Sequence, residues 1–130
     1  MGMTVPNFPN LWIVYGPNTH QKTGGPIMWS ELEARYIMGC IKAMVDGDLA
    51  SLEVKQEVFD DFQRKLDAAY EGELVTDKRV TSYYRSEKHG RVDVMTPWGT
   101  EQFVKWTRTP NLDDYVVTPA KVEAGLRCRT

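Results

Sequence analysis

Cysteine, basic clusters and long apolar runs are what this 130-residue chain has least of. Two cysteines, Cys40 and Cys128, are too few for a disulfide framework at this size. Cys40 falls among apolar helical positions, where a buried and inert thiol is expected, and Cys128 falls in a polar, exposed tail. Neither has the neighbours of a nucleophile, and no convergent set of metal ligands is visible. The formal net charge is −2 without a dense block of Lys or Arg, which argues against nucleic acid or an anionic membrane as the main partner. The longest apolar run, residues 11–15, is far too short to cross a bilayer. No charged start leads into an apolar signal segment, so a cytoplasmic location is expected. Internal repeats, low-complexity stretches and the Gly-x-Gly-x-x-Gly phosphate fingerprint are all missing from these residues.

What is present is an ordinary globular composition, 42% hydrophobic and 26% charged, enough for one domain with its own core. The most informative stretch is the apolar run that stops at Gly16-Pro17, followed by a polar, glycine-containing loop and a helical pattern opening at Gly24-Gly25-Pro26. A strand apolar on both faces belongs inside a layered sheet. A helix N-terminus just past such a strand is where α/β proteins hold anionic or electron-rich ligands. The pattern predicts a buried strand over 11–15 and a helix from Pro26, whose missing N–H costs nothing there. Ile27, Met28, Leu32, Ile37, Cys40, Ile41, Met44 and Val45 are its expected buried stripe, Glu31, Glu33, Arg35 and Lys42 its outer side, and Gly47 its stop.

Residues 52–54 predict a brief strand, and 55–71 a second helix with Val58, Phe62, Leu66, Ala69 and Tyr70 on one face. Residues 80–84 and 91–95 alternate weakly, as short strands or extended segments do. Thr100 is placed to cap a short helix through Phe103, Val104 and Trp106, and residues 113–117 form a last ordered piece. The expected fold class is α/β, an α+β fragment: one buried strand, two long helices, then irregular short strands and a short helix. Its domain covers 1–117, with 118–130 a frayed tail. A lone apolar strand cannot make a sheet, so the chain reads as part of a larger fold.

Taken singly, most candidate residues have plain readings. Gly16-Pro17 is a turn, and turn dipeptides are common. His20 reads as a solvated loop residue, His89 as part of a turn, and Tyr83 as a half-buried aromatic. Asp60-Asp61 and Asp113-Asp114 read as solvated charge. The four tryptophans are too dispersed to form a stacking platform for single strands.

In order, however, the segments form a pattern. Phe8-Pro9-Asn10-Leu11-Trp12-Ile13-Val14-Tyr15-Gly16-Pro17-Asn18-Thr19, then Glu33-Ala34-Arg35-Tyr36-Ile37, resembles the C-terminal part of flavin monooxygenases of the Baeyer–Villiger type. Ser82-Tyr83-Tyr84 with His89-Gly90-Arg91, then Thr96-Pro97-Trp98-Gly99, Arg108-Thr109-Pro110 and Asp113-Asp114-Tyr115, keep that family's order at similar spacing. The likeness covers roughly residues 5–117. It implies the C-terminal part of the FAD-binding domain of a protein with two dinucleotide-binding domains, which uses FAD, NADPH and oxygen to convert a ketone into an ester or lactone. It also implies that Gly16, Pro17, Asn18, Thr19, Gly25, Pro26 and Ile27 lie on the flavin side. Tyr83 takes the place of a tryptophan that closes over the nicotinamide cofactor.

Two departures stand out. Pro26 occupies a position where the family points a backbone N–H at a flavin carbonyl, so Ile27 supplies that bond or it is absent. Tyrosine replaces tryptophan at position 83, keeping a ring and adding a hydroxyl. The family's two glycine-rich fingerprints, its Phe-x-Gly-x-x-x-His-x-x-x-Trp signature and its catalytic arginine region are not among these residues. The chain alone is therefore expected to lack turnover and to need a missing N-terminal part or an oligomeric partner, with no nucleic acid and no membrane involved. Two other readings stay open: an association module that oligomerises or complements a separate dinucleotide-binding chain, and a small-ligand domain that binds free flavin or a nucleotide.

Overall fold

The computed structural model describes residues 1–22, 24–77, 79 and 81–120. Among these, helix α1 spans Pro26–Asp46, strand β1 Leu49–Val54, helix α2 Gln56–Ala69, helix α3 Thr100–Trp106 and strand β2 Tyr115–Pro119. Short 3-10 turns occupy Leu74–Thr76 and Leu112–Asp114. The body is a small mixed α/β assembly of three helices and a two-stranded sheet. No helix of the described residues is long and apolar enough to cross a membrane.

β1 and β2 run antiparallel, pairing Val54 with Tyr115, Leu52 with Val117 and Leu49 with Pro119, and an irregularity between Leu49 and Ser51 shifts the register. The brief strand expected at 52–54 is thus longer and has a partner. β2 continues through Thr118 and Pro119, past the boundary expected at 117; the rest of the expected tail, 121–130 with Cys128, lies outside the described residues. Val80 also lies outside them. The weakly alternating segments make only single bridges, Arg85 to Val92 and His20 to Met95.

The strand expected at residues 11–15 does not form. Leu11 and Val14 are nearly half exposed, and the segment has no ladder partner; Ile13 N–H donates to Met3 O at 2.8 Å and Tyr15 N–H to a side chain. An apolar run needs neighbouring strands to become an interior strand, and the described residues offer none along it. Its approach is fixed instead by Asn10, in the left-handed region at φ 59°. That side chain accepts from Leu52 N–H and donates to Ala50 O, each at 3.0 Å, on the β1 edge away from β2.

α1 begins and ends as its sequence signals, but its buried face is not the expected one. Trp29, Glu33, Tyr36 and Cys40 are buried, spaced four, three and four residues apart. Ile27 is 75% exposed, Val45 72% and Met38 61%. The helix carries apolar side chains around most of its girth, so spacing alone could not choose between faces. Tyr36 and Cys40 join Met3, Leu52, Val54 and Tyr115 in one core cluster. A second cluster gathers Leu66, Tyr70 and Val92, with Phe62, Tyr84, Met95 and Trp98 against it. Trp29 stacks on Phe103 with ring centroids 4.0 Å apart. α2 shows the expected face, with Leu66 and Tyr70 buried. α3 starts at Thr100, but its N-cap is Gly99 and no side chain caps it.

Candidate functional site

The loop over residues 16–21 is held from two sides. Asn18, in the left-handed region at φ 58°, donates from Nδ2 to Val92 O at 2.6 Å and Met95 O at 3.1 Å. Its backbone N–H donates to Asp93 O at 2.9 Å. Asparagine tolerates this φ better than most residues, and here its amide also satisfies two carbonyls of the neighbouring segment. His20 continues the pairing: its N–H donates to Val94 O and its carbonyl accepts from Thr96 N–H. Gln21 donates from Nε2 to Gly24 O, and its Oε1 accepts from the Tyr15 hydroxyl.

The second side is Glu33, fully buried one turn after Trp29. Its Oε2 accepts from Tyr15 N–H at 2.5 Å, while Oε1 has no partner. Burial pushes this carboxyl above its ordinary 4.5, opposed by the hydrogen bonds from Tyr15 and Thr19. The Thr19 hydroxyl, buried too, also donates to Gly16 O at 2.6 Å.

The start of α1 is open. Gly25 is the N-cap, Pro26 occupies the first turn and no side chain caps the helix. Among the first-turn positions Pro26 has no donor, which leaves the Ile27 and Met28 N–H groups as the helix-start donors. Beside them is an open, largely apolar hollow of about 540 Å³ lined by Val14, Tyr15, Pro26, Ile27, Ser30 and Ala34, together with Glu31. The recess runs along the flank of the first turns of α1, from Pro26 to Ala34, beside the positive end of a 21-residue helix.

The expected site residues divide accordingly. Pro26 and Ile27 line the hollow, and Gly25 starts the helix at its edge. Asn18 and Thr19 are buried and spend their donors on protein carbonyls, so they shape the loop from behind. Gly16 accepts from Thr19, and Pro17 is exposed. Tyr83 is 90% exposed, not half-buried, because the 82–92 hairpin leaves its side chain outside the second cluster. It lines a separate open hollow of about 880 Å³ with Thr76, Ser82, Arg85 and Ser86.

Three residues that the sequence left without a role belong to this region. Glu33, expected on the outer face, is buried and hydrogen-bonded to the loop through Tyr15 and Thr19. Tyr15 and His20 pack together with ring centroids 5.6 Å apart, and His20 meets Tyr84 at 5.9 Å. His20 is thus half-buried between rings, not solvated. No local pattern announces the contact with Tyr84, which comes from a segment over sixty residues from His20. Among the described residues, no group of three or more acidic, His or Cys side chains is arranged to hold a metal.

An uncapped helix start beside an apolar recess suits a planar ring with a polar edge. Comparison with known proteins points to one such class. A Baeyer-Villiger monooxygenase of Pseudomonas aeruginosa is 31% identical over 127 residues, 95% of this chain and 23% of that protein. An uncharacterized monooxygenase of Sinorhizobium fredii is 24% identical over 120 residues, 92% of this chain and 18% of that protein. An FAD-binding monooxygenase of Aspergillus niger is 25% identical over 91 residues, 67% of this chain and 15% of that protein. No family model matches the chain. The chain spans about a fifth of the length of the curated relatives it matches. These matches support a flavin monooxygenase family for this chain.

Proposed function

We propose that this chain forms the C-terminal, flavin-ring side of a Baeyer–Villiger-type monooxygenase, inserting one oxygen atom from O2 into a ketone to give an ester or lactone. The observation that carries the reading is the recess at the start of α1, where helix-start N–H groups border an apolar wall. FAD, reduced by NADPH, supplies the oxygen-insertion chemistry when bound. The fit is partial. Ile27 N–H is the donor for a carbonyl on the ring edge, answering the loss of one at Pro26, and the helix end favours electron density there. Val14, Tyr15, Ile27 and Ala34 supply a dry wall against one part of the ring. Asn18, Thr19 and Glu33 hold the loop that carries Tyr15. Tyr83 is the contact for the nicotinamide side. For the pyrophosphates of FAD and NADPH these 130 residues offer no glycine-rich cradle. By itself the chain is therefore inactive in this reading.

The experiment is purification followed by an NADPH-oxidation assay with cyclic and linear ketones. A colourless protein with no ketone-dependent NADPH consumption is expected. Yellow protein that consumes NADPH with a ketone overturns the inactivity half of the proposal.

A second reading is favoured by the exposed face of α1. Ile27, Met38, Ile41 and Val45 recur along one side of the helix, opposite the buried Trp29–Tyr36–Cys40 side. A surface of this kind marks association. The partner that fits is a dinucleotide-binding flavoprotein body, whose packing there also supplies the missing cradles.

A further inference from the structure

The loop over residues 16–21 and the hairpin that carries Tyr83 are joined twice. At the base of the hairpin, Asn18 donates from its side-chain amide to Val92 O and from its backbone N–H to Asp93 O, and Val92 bridges to Arg85, two residues from Tyr83. Through the side chains, four rings form a continuous series: Tyr15 to His20 at 5.6 Å, His20 to Tyr84 at 5.9 Å and edge-on, Tyr84 to Tyr83 at 5.5 Å and edge-on. Tilted and edge-to-face pairs at these separations are favourable and orientation-dependent. The backbone joint fixes the base of the hairpin. It does not fix a side chain as exposed as Tyr83, which has rotamer freedom to lose on ordering. The ring series does, because Tyr84 gives Tyr83 an edge to lie against and His20 fixes Tyr84.

We propose that His20 is a positioning residue: keyed between Tyr15 and Tyr84, it transmits the shape of the 16–21 loop to Tyr83, so the hollow beside Tyr15 and the hollow beside Tyr83 are coupled. Tyr15 lines the recess at the start of α1, and Tyr83 lines the hollow beside the hairpin. A ligand that displaces Tyr15 therefore turns His20 and shifts the edge against which Tyr84 and Tyr83 rest. The assignment of those hollows to flavin and nicotinamide rests on the proposed function; the coupling itself does not need a ligand.

The test is fluorine NMR of the full chain labelled with 3-fluorotyrosine, the Tyr83 line being assigned by Tyr83→Phe, with amide hydrogen exchange alongside. His20→Ala is expected to move the Tyr83 and Tyr84 lines and to speed exchange over residues 82–86 by roughly three- to tenfold, the scale of one or two lost ring contacts. His20→Phe, which keeps a ring, is expected to restore both. A Tyr83 line unmoved by His20→Ala, or moved equally by His20→Phe, overturns the coupling. Should His20→Ala fail to fold, Tyr84→Leu probes from the other end: it must shift the Tyr15 line, and an unchanged line overturns the proposal. Addition of FMN gives a separate arm. A Tyr83 shift in the unsubstituted chain that is lost in His20→Ala supports coupling between hollows. No response to FMN in the unsubstituted chain counts against the flavin reading alone, because the ligand-free comparison still decides the coupling.

Discussion

Glu33 is the residue on which the start of the candidate site rests. Burial raises the pKa of its carboxyl, and the hydrogen bonds from Tyr15 N–H and the Thr19 hydroxyl oppose that rise. A carboxyl whose folded pKa is raised gives stability that is fully present below its ordinary 4.5 and is lost as pH rises through the folded value. Glu33→Gln keeps both contacts without the charge. It is expected to be more stable than the unsubstituted chain by about 1 kcal/mol at pH 8, the difference vanishing near pH 4, in urea titrations at the two pH values. Asn18 is the complementary case. Asn18→Ala leaves the Val92 carbonyl without its Asn18 donor, leaves Met95 O with the Tyr70 hydroxyl as its donor, and forces alanine to φ 58°, at an expected cost of about 2–3 kcal/mol. Asn18→Gly accepts the φ and is expected to cost about 1 kcal/mol less. Asn18 and Thr19 are legible as loop residues. Their inward orientation is not, because for Asn18 it depends on carbonyls more than seventy residues away and for Thr19 on the buried Glu33 of α1.

At the scale of the elements, α1 shows what spacing can and cannot say. Pro26 at the start and Gly47 just past the end fixed its limits in the sequence. The observed face departs from the expected stripe at Trp29, Tyr36 and Glu33, all of which it buries. The same limit explains residues 11–15, where a run apolar on both faces promised an interior strand and the neighbours it requires are not among the described residues. Gly39 sits mid-helix where alanine ordinarily stabilises by about 1 kcal/mol. Here an added Cβ meets the Pro110 ring at 2.9 Å, and a proline ring has little room to yield. Gly39→Ala is therefore expected to destabilise by about 1–3 kcal/mol in thermal or urea unfolding, reversing the helix-propensity trend.

For the whole molecule, the ordered succession of short segments carried the family likeness, and three monooxygenase relatives support it across most of the chain. What the chain does not share with those relatives is their length. The exposed α1 face has the character of a surface that expects cover. If that cover is a second copy of this chain, Met38→Lys together with Val45→Lys reduces self-association in sedimentation or light scattering at high concentration and leaves the unfolding free energy within about 0.5 kcal/mol of its starting value, since both side chains are largely exposed. An unchanged association state with both lysines in place removes this face from the interface.

The recess at the start of α1 is tested most directly by titrating the isotope-labelled chain with FMN and following backbone amides. Shifts concentrated at Gly25, Ile27 and Met28, saturating with FMN concentration, are the expected result. Amides of the helix start that stay fixed while FMN reaches millimolar excess, or shifts confined to other parts of the chain, would contradict the assignment of this recess to a flavin ring.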